Sequence, residues 1–262
     1  MTIRKVIDAL ERFAPLPLQE GYDNAGLQVG LTEAEVSGAL LCLDVTEAVI
    51  DEAVRKGCNL VVAHHPLIFR KLACISDGDY VQRTVMKAIR EGVAIVAMHT
   101  NLDNARGGVN FKMAEHMGLK NVDFMAAPRV VDDVDGASGV VGELPEPMGA
   151  QAFVEMLKER FDAESVRCNE LLKRPVRRVA LCGGAGSFLL GDALKAGVDA
   201  FVTGEMGYHE FFGHEGQIQI AVIGHYESEQ FTREIFRDII GSECPGVRCV
   251  LAETNTNPIK YL

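Results

Sequence analysis

Apolar residues fall along this chain in two alternating rhythms, short unbroken runs and spacings of three to four, and each rhythm predicts a different element. Ile3, Val6, Ile7, Leu10 and Phe13 share one face of a helix over residues 2 to 14, ended by Pro15. Ala39 to Leu43, Leu60 to Ala63 and Val93 to Met98 are short apolar runs that read as buried strands. Between them, Thr46 to Lys56 and Val81 to Glu91 read as helices, the first with Val49, Ile50, Ala53 and Val54 on one face. Strands alternating with helices at this pitch predict an α/β fold built on a largely parallel sheet. Glu20 to Gly30 is too polar and too rich in glycine for an interior element and reads as a loop.

The same order returns in the second half. A shift of 140 lays Leu41-Cys42, Ala53, Gly57 and Val62 on Leu181-Cys182, Ala193, Gly197 and Val202. A shift of 126 lays His99 on His225 and Asp103 on Glu229, so that each half carries a histidine at a strand tip with a carboxylate four residues on. This predicts a duplicated α/β unit, residues 1 to 125 and 126 to 262, with the polar, proline-bearing stretch 126 to 149 as the joint.

The strand Leu60 to Ala63 is followed by His64-His65-Pro66, and the proline forbids its continuation. Two histidines therefore sit at a strand's carboxyl end, where open α/β sheets bind ligands. Neighbours on an extended chain face opposite sides, so His64 and His65 cannot easily chelate one ion but can each serve one of two. His64, His65, Asp103, His225 and Glu229 are the candidate metal ligands, and two readings of His99 stand open, a ligand or a hydrogen-bond partner of one. Histidine with carboxylate suits zinc, manganese, iron or cobalt, and two such ions sharing a carboxylate make a hydrolytic centre. The plain alternative for a His-His pair is a core or surface feature.

Other stretches carry weaker signals. Cys182 to Ser187 joins a strand to a helix through three glycines, either as a tight turn or as an anion-binding loop, and it matches no known phosphate-loop pattern. Glu205 occupies the position of His65 in the second repeat and is paired in this reading with His209, as an acid/base pair or a surface pair. His116 and His214 read as structural, and no GxSxG nucleophile elbow occurs.

Composition narrows the partners. The formal net charge of −11 and a pI of about 5.1 argue against general attraction to nucleic acid or an anionic membrane. No apolar run approaches bilayer length and the first residues lack a signal core, so the expected location is the cytoplasm. Seven scattered cysteines without CxxC spacing read as buried, reduced thiols.

The stretches Tyr22-Asp23-Asn24-Ala25-Gly26-Leu27-Gln28-Val29-Gly30, His64-His65-Pro66, His99-Thr100-Asn101-Leu102-Asp103, Thr203-Gly204-Glu205 and Gly224-His225-Tyr226-Glu227-Ser228-Glu229 resemble the signatures of the Nif-three-like family, also called GTP cyclohydrolase I type 2 homologues. The resemblance implies two intertwined α/β repeats with mixed, largely parallel sheets, the metal site between them, and a toroidal homohexamer. It also implies two divalent cations per chain, one on His64, Asp103 and Glu229 and the other on His65, His225 and Glu229, with Glu229 bridging. His99 then moves beside the ligands, and it and Glu229 become the expected catalytic residues of a metal-dependent hydrolase acting on a small molecule such as a nucleotide or phosphoester. The alternative is a metal-handling assembly without turnover. GTP ring opening ranks below a general hydrolase, because only the Gly183 to Gly186 turn and arginines such as Arg106 offer a triphosphate subsite. Tyr22 stands where the family usually has tryptophan, and the chain resembles the short form without an inserted domain.

Overall fold

Helices and strands alternate as the pattern predicts. In the computed structural model, which describes residues 1–262, the chain opens with α1 (Ile3–Phe13), β1 (Gly26–Val29), β2 (Ala39–Cys42), α2 (Glu47–Arg55), β3 (Leu60–Ala63), α3 (Tyr80–Glu91), β4 (Ala94–Ala97) and α4 (Thr100–Asn104). It continues through α5 (Val109–Met117), β5 (Lys120–Phe124), β6 (Arg129–Val131), β7 (Val134–Gly136), β8 (Val140–Met148), α6 (Ala150–Phe161) and β9 (Arg167–Cys168). Then come β10 (Val176–Cys182), α7 (Leu190–Lys195), β11 (Ala200–Thr203), β12 (Gln219–Val222), α8 (His225–Glu229), α9 (Thr232–Glu243) and β13 (Cys249–Leu251). The residues group into two units, one of Met1–Ala105, Val131–Val134 and Thr232–Pro258, the other of Arg106–Val130, Asp135–Phe231 and Ile259–Leu262.

The first unit is a five-stranded sheet in the order β1-β4-β3-β2-β13. β4, β3, β2 and β13 are parallel, and β1 runs antiparallel on the β4 edge. Every residue of β2, β3 and β4 is buried, as strands covered on both faces must be, which is why their sequences are unbroken apolar runs. Leu40, Cys42, Val61, Ala63 and Ile95 pack against Val49, Ile50, Ala53, Val85 and Ala88 of α2 and α3. α1 packs along α9, and α9 lies against β2. Side-chain caps start two of these helices: Thr46 accepts the Val49 N–H at 3.3 Å and Asp79 the Gln82 N–H at 2.9 Å.

The second unit is a six-stranded sheet in the order β5-β8-β10-β11-β12-β9. β10, β11 and β12 are parallel, and the outer strands β5, β8 and β9 pair antiparallel. Alternate residues serve opposite faces. Val179, Leu181, Ala200, Val202 and Ala221 pack with Met113 of α5 and with Phe153, Leu157 and Phe161 of α6. Ala180, Cys182, Phe201, Ile220 and Val222 pack with Leu190 and Ala193 on α7.

Four expectations need correction. Gly26–Val29, read as loop, is an edge strand. Its glycines mark close approach instead of irregularity: Gly26 and Gly30 take φ of 99° and 111°, and a Cβ on Gly30 would come within 2.6 Å of the Ala94 backbone. The stretch 126 to 149, read as the least structured, holds the β6-β7 pair and the nine-residue β8. Its prolines, Pro145 and Pro147, lie past the Lys120–Glu143 end of the β5 ladder and at the irregularity of the β10 ladder between its Glu143 and Met148 rungs, positions where β-sheets tolerate proline. All seven cysteines are free, but Cys74 and Cys168 are exposed and only Cys42, Cys58, Cys182 and Cys244 are fully buried. The repeat also slips by one residue. The ladders pair Leu60 with Ala94 and Ala200 with Gln219, so β12 follows β4 by 125 residues, not 126. By this register His225 corresponds to Thr100 and Glu229 to Asn104. His99 instead occupies the cap of α4.

The chain beyond β13 is held to α2 by one carboxylate. Glu52, fully buried, accepts the Glu253 N–H at 2.8 Å, the Thr254 N–H at 2.9 Å and the Thr254 hydroxyl at 2.6 Å, and pairs with Lys56 at 2.8 Å. Burial alone would raise its pKa, but these donors win and carry it from an ordinary 4.5 to about 2. A carboxylate with a depressed pKa stabilises the fold above its unfolded value, and that stabilisation is lost as pH falls towards the folded value. We expect Glu52→Gln to cost about 3 kcal/mol in urea unfolding at pH 7. The gap between wild type and variant should close as pH falls from 4.5 towards 2.

Candidate metal centre

The carboxyl end of β3 delivers His64 and His65 on a backbone that still pairs with its neighbour. The His64 N–H reaches the carbonyls of Cys42 and Leu43 at 3.3 and 3.1 Å, and the His65 N–H reaches that of Leu43 at 2.9 Å. Pro66 then ends the run. His64 is 0% exposed, and its Nδ1 lies 2.9 Å from the Met98 carbonyl oxygen at the end of β4. A carbonyl only accepts, so Nδ1 carries the proton and Nε2 keeps its lone pair. That Nε2 stands 3.6 Å from Oδ1 of Asp103, on α4.

His65 is oriented the same way by a different acceptor. Its Nδ1 lies 2.7 Å from Oδ1 of Asp44, whose Oδ2 accepts the Thr256 hydroxyl at 2.5 Å. Burial opposes the charge on Asp44, but the His65 and Thr256 hydrogen bonds prevail and its pKa is lowered. His99 completes the set: its Nδ1 is 2.7 Å from Oδ1 of Asp23, whose Oδ2 accepts the Thr100 N–H at 3.0 Å and the Thr100 hydroxyl. Burial would raise the Asp23 pKa, yet these bonds bring it down to about 2. The donor atoms that His64, His65 and His99 offer lie within 4.8 Å of one another.

In the second unit, His225 and Glu229 begin and end α8. His225 Nδ1 is 2.8 Å from Oε1 of Glu205 and its Nε2 is 3.1 Å from Oε2 of Glu229, which is 3% exposed. Glu205 thus pairs with His225 and not with His209, whose ring packs beside Tyr208 and Phe212. His116 stacks on Phe231 at 3.7 Å, which fits its structural reading.

The glycine turn after β10 is a seat for Glu229. Gly184 has φ of 56°, and a Cβ there would collide with the Glu229 carboxylate. Its N–H groups are already used: Gly183 donates to Asn110 at 2.9 Å, Gly184 to Ser228 at 3.0 Å and Gly186 to Thr203 at 3.1 Å. The tight-turn reading therefore replaces the anion loop. Arg106, the other triphosphate candidate, is paired with Asp123 at 3.0 Å and Asp135 at 3.3 Å.

The family profile Duf34/NIF3 (NGG1p interacting factor 3) matches residues 1–258. The chain belongs to the NIF3 family. It is 34% identical over 230 residues to a GTP cyclohydrolase 1 type 2 homolog of Clostridium perfringens, covering 87% of each chain. It is 32% identical over 255 residues to the protein of that name from Lactococcus lactis, covering 95% of each. Among solved structures, a Staphylococcus aureus hypothetical protein superimposes with a TM-score of 0.90 at 26% identity, over 100% of this chain and 99% of that one. A Bacillus cereus protein related to NIF3 matches at 0.89 and 24% identity over 100% and 99% of the chains, a likeness of fold. The mixed α/β fold with its parallel central strands is therefore the NIF3 fold.

Several His, Asp and Glu groups of this NIF3 protein can hold a metal ion. Their chemistry fits one: histidines with Nδ1 tied to an acceptor present Nε2 as a donor beside carboxylates. Reading for ligands alone missed the groups that orient them, Asp44, Asp23 and Glu205 as the partner of His225. Asp44 follows β2 as His65 follows β3, and the strand-tip rule could have found it. No helix of the chain is long and apolar enough to cross a membrane. We expect Gly184→Ala to destabilise the protein by about 2 kcal/mol or more in thermal or urea unfolding, through its positive φ and the collision with Glu229.

Proposed function

We propose that this NIF3 protein is a metal-dependent hydrolase with two divalent cations per chain, zinc, manganese, iron or cobalt. His64, Asp103 and Glu229 would hold one ion and His65, His225 and Glu229 the other, with Glu229 bridging and the two repeats each supplying part of the set. The observation that carries this reading is His64, fully buried, with its Nδ1 proton committed to the Met98 carbonyl and its Nε2 facing Asp103. A neutral imidazole in that position serves a cation better than it serves packing. Two ions held there supply the Lewis acidity that activates water near neutral pH and polarises a carbonyl or phosphoryl group.

The chain's own residues would do the rest. Asp44 and Glu205 hold His65 and His225 in one tautomer and one orientation. Asp23 keeps a proton on Nδ1 of His99, leaving Nε2 as the nitrogen that takes up a proton from the attacking water or returns one to the leaving group. Glu229 lies against the glycine turn, in space that a Cβ at Gly184 would take. The name of the relatives, GTP cyclohydrolase 1 type 2 homolog, points to a nucleotide, and a phosphoester is the wider class. The Gly183 to Gly186 turn and Arg106 are both occupied, which supports a general hydrolase over GTP ring opening. The resemblance carries a homohexamer into the same reading, and the sequence pattern a cytoplasmic location.

Elemental analysis of protein purified without added metal tests the centre. About two divalent ions per chain are expected, falling sharply in His65→Ala and in Glu229→Ala, while Asp44→Asn should retain protein fold and lose metal affinity about tenfold or more. Fewer than about half an ion per chain, unchanged in the variants and not restored by zinc or manganese, would overturn the reading. Phosphoesters and GTP are the substrates to assay on the loaded protein. Light scattering at micromolar concentration checks the hexamer, which a monomer would exclude.

A further inference from the structure

The segment that follows the histidines encloses a cavity of about 430 Å³ in the first unit, lined by Pro66, Phe69, Arg70, Lys71, Asp79 and Tyr80 among others. That volume lies in the range of small-molecule sites. Its polar character is cationic. Arg70 and Lys71 both line it, adjacent in sequence, and neither makes an ion pair. The one carboxylate in the wall, Asp79, is committed to the start of α3, accepting the Gln82 N–H at 2.9 Å and the Gln82 amide at 2.8 Å. Phe69 and Tyr80 stay 44% and 57% exposed and offer ring surface in its wall. Pro66 adjoins His65, and the Phe69 ring lies 6.1 Å from that of His99 and 6.4 Å from that of Tyr22. The cavity therefore opens beside the first-unit donors.

The geometry points to Arg70 and Lys71 as a subsite for the dianionic end of a phosphomonoester whose organic part lies on Phe69 and Tyr80. This rests on the hydrolase reading and gives it a substrate class. A guanidinium presents a planar fork to two phosphate oxygens and an ammonium adds a mobile point charge, so the pair suits a terminal phosphate better than a monoanionic diester. An aromatic or flat apolar ester group meets the rings edge or face on.

The test is calorimetric titration of the full chain with phenyl phosphate at fixed ionic strength, with metal content measured on the same samples. The double variant Arg70→Glu/Lys71→Glu is compared with Arg55→Glu/Arg90→Glu, which makes the same charge change on α2 and α3. Binding weakened about tenfold or more in the first and retained in the second, at equal metal content, supports the subsite. Equal binding by both variants, or binding lost on chelation yet indifferent to Arg70 and Lys71, places the phosphate elsewhere and overturns it. Phenyl phosphate bound through Arg70 and Lys71 by a protein that carries no metal upholds the subsite and removes the hydrolase reading. No binding by any form removes the subsite while leaving the metal count to decide the rest.

Discussion

A buried imidazole has two nitrogens to satisfy, and at His64 the fold settles one of them with a backbone carbonyl. The Met98 oxygen, at the end of the neighbouring strand, fixes the proton on Nδ1 at 2.9 Å. This bond depends on the parallel pairing of β3 with β4, because only that register brings the end of one strand beside the residue that follows the other. The choice of acceptor matters as much as its position. A carbonyl can only accept, so it requires the proton on Nδ1 and leaves Nε2 as the nitrogen turned towards Asp103. Strand register thus determines the state of a side chain beyond the strand.

The less buried histidines use carboxylates for the same purpose. Asp44 serves His65, Asp23 serves His99 and Glu205 serves His225, each through Nδ1 at 2.7 or 2.8 Å. Asp44 and Asp23 have depressed pKa values despite the cost of burial, so both enter the pairs as anions. Two of these carboxylates are themselves held by further donors, Asp44 by the Thr256 hydroxyl and Asp23 by Thr100. Rings held this way lose little further entropy when a ligand arrives, and this preorganisation is what a tight metal site requires.

Much of this was legible from residue types. Unbroken runs such as Leu60 to Ala63 gave away strands buried on both faces, and the proline after His65 gave away where the strand stopped. Glycine misled at β1, where it signalled a loop although Gly30 at the strand's end is needed for close approach to Ala94; near Gly184 it left a tight turn and an anion loop both open, and the space belongs to Glu229. Composition cannot separate these cases, since the absent Cβ looks alike whether it admits backbone, carboxylate or ligand. The pairing of β13 with β2 was equally hidden, because nothing local to Cys249–Leu251 names a partner some two hundred residues earlier. The one-residue slip between His99 and His225 belongs to the same class: sequence similarity aligned the histidines, while the ladder aligned the backbone.

The distribution of charge constrains what such a centre can accept. Asp23, Asp44 and Asp103 stand around the first-unit histidines, and Glu205 and Glu229 beside His225, so each group of donors is acidic before any ion is counted. An anionic substrate approaching these carboxylates alone would be repelled, and a divalent cation is the natural complement to them. Cations bound among these carboxylates would reverse the local sign and make a phosphoryl or carbonyl oxygen welcome. The reversal is confined to the centre itself, since the chain as a whole stays strongly acidic. A phosphate with further negative charge outside the centre would then need a second source of positive potential, and Arg70 and Lys71, lining the cavity that begins at Pro66, are the cations proposed to supply it.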